Sequence, residues 1–346
     1  MSKNLDDIRS ISIESLEVIL LKNKFPHYRS KQIKNWTTKI DIKSFDEMSN
    51  LPKELIIFLK KNFTLNHAAI LSTQKSSDET VKYAIKLHDG LVIESVLIPS
   101  NNRITACVSS QVGCSLDCNF CATSRLKRMR NLESYEIFDQ VMILNKESII
   151  HFSSSISNIV FMGMGEPLLN YKNVIESIDH ITSDYGIGLS YKKITVSTSG
   201  ISKMIKKMAD DSVKFNLAVS LHSAIDETRN KIMPFSKSFP LKDLFESLDY
   251  WYEKTKRRIT FEYLIWNNIN DDFNHINKLV SICKRIPSKI NLIEYNSIGN
   301  PNFELADEIW INNYLNVLKD NKIPVSIRRS RGKDIQAACG QLANKH

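Results

Sequence analysis

An α/β architecture is what the sequence predicts: a partial (β/α)6 TIM-like barrel behind a small N-terminal helical accessory domain and a β-hairpin. Three observations carry it. From Thr105 onward, six short β-rich runs alternate with longer amphipathic stretches, the pattern of parallel strands joined by crossover helices. The chain has 346 residues, enough for two or three domains with their own cores, so neither disulfides nor a metal are needed for size alone. The chemically unusual residues fall just after the β-rich runs, where barrels of this kind carry their active sites.

Each element has a local reason. Residues 1–70 read as the helical accessory domain: Ile13, Leu16, Ile19 and Leu20 recur at helical spacing, a basic segment runs from Tyr28 to Trp36, and Pro52 opens a short helix over Lys53 to Phe63. Residues 71–100 read as a hairpin linker, because Tyr83 to Leu87 and Leu91 to Ile98 are β-rich and flank Asp89-Gly90, a strong turn pair. The barrel occupies 101–300, with strands expected at Thr105 to Ser109, Asn158 to Met162, Lys193 to Val196, Lys214 to Ser220, Arg258 to Ile265 and Lys289 to Glu294. Residues 301–346 read as a helix, a strand and a tail that carries Cys339.

Composition narrows the class. Apolar residues make up 42% and charged residues 25%, which excludes a disordered, collagenous or coiled-coil chain. No apolar run approaches the roughly 18 residues of a membrane span, and Met1 to Asp7 lacks the basic-then-apolar plan of a leader. A cytoplasmic protein with no membrane partner is expected. The 47 Lys and Arg against 38 Asp and Glu leave a net charge of +9, which favours a polyanionic partner, nucleic acid before membrane. Six cysteines spread through such a chain do not form a disulfide framework.

Cys114, Cys118 and Cys121 form C-x3-C-x2-C in a polar loop just after the first barrel strand. Three thiolates without a fourth ligand do not complete a zinc site. A four-iron cluster held by three cysteines keeps one iron open for a ligand that is not protein. Buried, inert thiols are the plain alternative.

The spacing, with Phe120 before the last cysteine, resembles the signature of radical S-adenosylmethionine (SAM) enzymes. The resemblance is closer still to the adenine-C2 methyltransferases of 23S ribosomal RNA and tRNA. It rests on Cys107-Val-Ser-Ser-Gln-Val-Gly-Cys114, Phe161-Met-Gly-Met-Gly-Glu-Pro-Leu-Leu-Asn170, Ser197-Thr-Ser-Gly200, Ser220-Leu-His222, Phe261-Glu-Tyr263, Asn270-Asp271 and Ala337-Ala-Cys-Gly-Gln-Leu342, and runs from about Glu94 to Leu342.

That resemblance implies a radical SAM barrel with one [4Fe–4S] cluster on Cys114, Cys118 and Cys121. It implies that Cys339 accepts a methyl group, that Cys107 closes a transient disulfide with it, and that Glu94 takes the C2 proton, two SAM being used per product. Gly165, Glu166, Ser197, Ser220, Leu221, His222 and Asn296 would contact SAM. Partners would be 23S rRNA, tRNA and a flavodoxin-type electron donor, with the chain a monomer. Taken alone, Glu94 in an apolar strand reads as a solvent-facing residue, and His222 as a hydrogen-bonded core residue. The basic residues Arg328, Arg329, Arg331 and Lys333 near Cys339 favour a thiolate there. Cys283 reads as a packing residue. Arg125, Lys127, Arg128 and Arg130, and in the accessory domain Tyr28, Arg29, Lys31, Lys34 and Trp36, are the expected RNA grips.

Three positions depart from the family pattern. Ser124 and Asn268 stand where glycine is usual, and Glu294 where proline is usual. Asn tolerates the positive φ a turn glycine adopts. Two other readings stay open: the related adenine-C8 methyltransferases, which share the cysteines, and a non-catalytic, metal-stabilised RNA-binding protein.

Overall fold

Residues 5–38, 42–184 and 186–344 are described by the computed structural model; Met1 to Asn4, the start of the stretch read for a leader, lie outside them. The N-terminal segment is helical because its apolar residues repeat at helical spacing and its helix starts are capped. Helix α1 (Ile13–Lys22) begins at Ser12, whose side chain accepts the Ser15 N–H; α2 (Arg29–Thr37) and α3 (Lys53–Asn62) follow, the last opened by Pro52. Leu16, Leu20, Ile33, Leu55, Leu59 and Phe63 close a core of their own. One buried contact orients this unit on the rest: Arg9 Nη1 lies 2.8 Å from Asp139 Oδ1, and its guanidinium stacks 4.4 Å over the Tyr135 ring.

A ten-stranded sheet forms the remainder. Strands β1 (Ala69–Lys75), β2 (Val81–Lys86), β3 (Val92–Ser100) and β4 (Arg103–Cys107) pair antiparallel in succession. Residues 71–100 are thus the antiparallel margin of the barrel sheet, joined to it edge to edge, and β1 is a strand the hairpin reading missed. A two-residue ribbon, β5 (Gln111–Val112) with β6 (Arg130–Asn131), then brackets the cysteine loop.

The alternation seen in the sequence follows. In order come α4 (Ser134–Phe152), β7 (Asn158–Phe161), α5 (Tyr171–Thr182), β8 (Ile194–Thr198), α6 (Ser202–Asp210), β9 (Asn216–Ser220), α7 (Asp226–Ile232), α8 (Leu241–Thr255), β10 (Ile259–Leu264), α9 (Phe273–Arg285), β11 (Ser288–Ile293), α10 (Glu308–Asp320) and β12 (Val325–Arg328). From β4 through β7 to β12 every neighbouring pair is parallel. Six parallel strands were expected from the barrel region; β12, read as outside it, pairs with β11 and makes a seventh.

The strand sequences explain why this barrel is hollow. Outward positions, such as Ile104 and Ala106, Ile194 and Val196, Leu217 and Val219, or Ile290 and Leu292, are apolar and buried under the helices. Inward positions two residues apart are polar: Thr105 and Cys107, Thr195 and Ser197, Thr260 and Glu262, Lys289 and Asn291, Ser326 and Arg328 all line cavities enclosed by the sheet. Closed barrels of this type fill the same positions with Val, Ile and Leu. Cys283 lies in the apolar core on α9, as expected.

Candidate active site

The cysteine loop leaves the C-terminal end of β4 and is tied down from several sides. Asn119 donates from its backbone to Ile232 O (3.0 Å) and from its side chain to Lys231 O (2.8 Å), and the Asp117 carboxylate accepts the Phe235 N–H at 2.7 Å. Ser124 Oγ lies 2.6 Å from Cys118 O and 2.7 Å from Cys121 O, so the serine at this usual glycine position closes the loop with its hydroxyl. Asn268, the second departure, adopts φ 57° as its turn requires.

The three thiols open onto one cavity. Burial pushes Cys114 up to about 12 and Cys118 well above its ordinary value, with the neighbouring thiols adding to both. Thiolates at Cys114 and Cys118 are therefore unfavourable here without a cationic group beside them. Beside Cys118 lies Arg229, fully buried: its Nη2 donates to Ser199 O at 2.6 Å and its Nε to Leu221 O, while Nη1 has no partner and no ion pair to it is present among the described residues. Burial lowers its pKa to about 10, with the Cys118 charge opposing. An unpaired cation against thiolate sulfur is the complement of an anionic iron–sulfur unit. No group of three or more His, Cys, Asp or Glu side chains among the described residues converges as a single-ion donor set; a multi-iron cluster instead takes one thiolate on each of three irons.

Around the same cavity stand Gly165, Glu166, Ser197, Ser220, His222 and Asn296. The buried Glu166 accepts from Leu168 N–H (3.0 Å) and Ser199 N–H (2.7 Å), bonds that hold its charged form against a burial that raises its pKa. Gly165 has φ +95°, and an added Cβ would sit 2.5 Å from Gln111 Cβ, so this glycine is demanded by the packing of the loop on Gln111. His222 also has positive φ (56°), and Asn270, another buried residue, holds it by donating to His222 O at 2.9 Å. Its Nδ1 accepts the Leu264 N–H at 3.2 Å, and burial drives its pKa down to about 3, so the ring is neutral at any physiological pH. Asn296 donates to Cys339 O at 3.3 Å, and its buried Oδ1 has no partner. Leu221 differs: its side chain is in the apolar core and does not line the cavity.

Cys107 and Cys339 complete the wall, and both thiols are free. They lie close enough that the charge of Cys339 is felt at Cys107: burial pushes Cys107 up to about 12, with Cys339 adding to it and Arg328 opposing. The expected thiolate at Cys339 needs correction. Cys339 is exposed to the cavity, but the protein packed around its sulfur raises its pKa by desolvation, although Arg328 favours the anion. The other basic neighbours are engaged elsewhere: Arg329 Nη1 and Lys333 Nζ sit 2.6 and 3.0 Å from Glu294, whose pKa falls to about 2. Arg328 lines the cavity beside Cys339, as its place in the basic run suggested; the buried Glu262, read only as part of a motif, also faces the cavity, and its signal was a charged residue at an inward strand position.

Glu94 is buried on β3, not solvent-facing, and does not line the cavity with Cys339. Its Oε1 lies 3.4 Å from Lys82 Nζ, and its Oε2 accepts the Ala343 and Asn344 N–H groups at 2.7 and 3.1 Å. The basic run after the cluster is partly structural: Arg130 makes a two-pronged contact with Glu136 at 2.7 and 2.8 Å and binds Asp89, and Arg125 donates to Ile298 O. In the accessory domain Tyr28 is exposed, whereas Trp36 Nε1 donates to Asn50 Oδ1 and Lys34 Nζ to Arg9 O.

A barrel with three cysteines on one wall of its lumen, at this spacing, defines the radical SAM class, and the Radical SAM superfamily profile matches residues 108–280. Among curated proteins, a probable dual-specificity RNA methyltransferase RlmN of Flavobacterium johnsoniae is 58% identical over 98% of this chain and 97% of its own length, and one of Salinibacter ruber is 42% identical over 98% and 94%. A crystal structure of a radical SAM methyltransferase from Sphaerobacter thermophilus superposes with a TM-score of 0.89 at 32% identity, covering 98% of this chain and all of that one. The chain belongs to the RlmN family of the radical SAM superfamily. That superfamily uses a [4Fe–4S] cluster and SAM, and the thiols, the unpaired Arg229 and the open amide of Asn296 fit such a pair of groups.

Proposed function

We propose that this chain methylates C2 of adenine in 23S rRNA and in the tRNA anticodon loop, with Cys339 carrying the methyl group and Cys107 resolving the covalent adduct as a disulfide. One observation carries the reading: five cysteines, two of them outside the cluster triplet, share one cavity. C2 lies between two ring nitrogens and is electron-poor, so it does not attack a sulfonium methyl directly. The cluster and SAM, when bound, supply the one-electron chemistry this carbon requires, two SAM being used per product.

The chain's own residues do the rest. Cys114, Cys118 and Cys121 hold three irons. Gly165, Glu166, Ser197, Ser220, His222 and Asn296 bind and orient SAM, with neutral His222 as a hydrogen-bonding partner only. Cys339 presents its thiol to the lumen, and Arg328 lowers the cost of its anion. Glu94 takes the C2 proton after the tail releases its carboxylate from Ala343 and Asn344. A flavodoxin-type reductant and a monomeric chain complete the proposal.

The test is product analysis. The reconstituted protein, SAM, reductant and rRNA or tRNA transcripts should yield 2-methyladenosine on nuclease digestion and mass spectrometry, and Cys339→Ala should yield none. Finding only the C8 isomer, or normal methylation by Cys339→Ala, would overturn the assignment. One zinc and no visible absorption would instead support a non-catalytic RNA-binding protein.

A further inference from the structure

The barrel lumen has a second mouth, at the N-terminal ends of the parallel strands, and it is built differently from the cysteine end. Arg103 on β4, Lys192 just before β8, Lys289 on β11 and, after β12, the exposed Arg329 and Arg331 line it, with Arg328 deeper in, and Glu262 is the one carboxylate among its lining residues. Arg103, Lys192 and Lys289 are exposed, and no ion pair engages them among the described residues. The remaining wall is mostly small and polar, including Asn158, Thr195 and Ser326.

This mouth leads to the chemistry. The cavity behind it and the cysteine-lined cavity share Met162, Glu262, Arg328, Ala338 and Cys339. Cys339 is therefore reached from two directions. The cysteine end must hold a cluster and SAM, so a macromolecular substrate has the other approach left to it. An adenine reaches such a depth only when unstacked from a loop, and its flanking phosphates then meet whatever rims the opening.

Building on the RNA methyltransferase reading, we infer that the N-terminal mouth of the barrel is the RNA entry port, where Arg103, Lys192, Lys289 and Arg331 grip the phosphates flanking the inserted adenine. Exposed cations at a concave rim release counterions when phosphate binds, which makes the grip salt-dependent. The run at Arg125 to Arg130 is a weaker candidate, because Arg130 is consumed by Glu136 and Asp89.

The experiment measures binding of a fluorescent RNA stem-loop carrying a loop adenine, across a salt series, to the cluster-loaded full chain. The Lys192→Glu/Lys289→Glu variant should bind at least about tenfold more weakly near 0.1 M salt, with a log–log salt slope shallower by roughly two. Lys192→Gln/Lys289→Gln, which removes charge without reversing it, should show a smaller change of the same sign. Arg125→Glu/Arg128→Glu should stay within about threefold of wild type. Unfolding temperature and the visible cluster band establish that each variant is folded. Wild-type binding and methylation together with unchanged affinity and slope in both Lys192/Lys289 variants overturns the port while leaving the RNA reading intact. A wild type that neither binds nor methylates RNA overturns both.

Discussion

The two ends of the barrel lumen are made from the same strands and do opposite things. At the C-terminal ends the lining is thiol, small polar and aromatic, charges are buried and mostly bonded, and desolvation raises the pKa of Cys107, Cys114, Cys118 and Cys339. At the N-terminal ends the lining is basic and exposed. The dry end suits chemistry that water would quench, and the wet end suits a polyanion. Moving two residues along a strand moves a side chain from one regime to the other.

Removing the cluster ligands should break this contrast most completely. Cys121→Ser is expected to abolish the visible iron–sulfur absorption and all methyl transfer, while stem-loop binding at the basic mouth stays within about threefold; iron analysis and a binding titration check it. Equal loss of both would mean the two ends are one cooperative site.

Next in size is Gly165→Ala. Positive φ and the clash with Gln111 should cost about 2–4 kcal/mol, seen as a lower unfolding temperature together with weaker SAM binding. Arg130→Ala leaves the buried Glu136 without its two-pronged partner and should cost a similar or slightly smaller amount, about 2–3 kcal/mol, with little change in RNA affinity. A large affinity loss instead would return the Arg125 to Arg130 run to the RNA interface.

Arg328 sits where the two regimes meet and favours the anionic form of both Cys107 and Cys339. In Arg328→Leu both thiols should titrate higher, so alkylation of the protein at a given pH between 8 and 10 slows by severalfold. An unchanged rate would show that desolvation alone governs them.

The smallest effect is expected at Glu294. Its folded pKa of about 2 lies below the ordinary 4.5, so its hold on Arg329 and Lys333 is complete above about pH 4.5 and is lost as pH falls toward about 2. Hydrogen exchange over Ser330 to Cys339 should accelerate on acidification in wild type, and be fast already at neutral pH in Glu294→Gln. Because both cationic partners are largely exposed, the effect is local and salt-sensitive.

Some of this was legible without coordinates because it is local. The C-x3-C-x2-C spacing, the Asp89-Gly90 turn, the start of α3 at Pro52 and the positive φ of Asn268 each follow from residues a few positions apart. Other features were misread because they depend on which way a strand faces. Glu94, taken alone, looked solvent-facing and is buried against Lys82 and the tail, and β12, read as a strand outside the barrel, pairs with β11.

The sequence by itself determined the alternation of strand and helix from β4 onward, the C-x3-C-x2-C spacing and the family, since these reside in spacing and period. Tertiary structure alone decided that Cys107 from β4 and Cys339 from the tail face one lumen, that Arg229 is buried beside Cys118 with no ion pair among the described residues, and that the lumen has a basic second mouth. The reason is physical: a period of two says that side chains alternate between faces, but only the curling of the sheet makes one of those faces an interior.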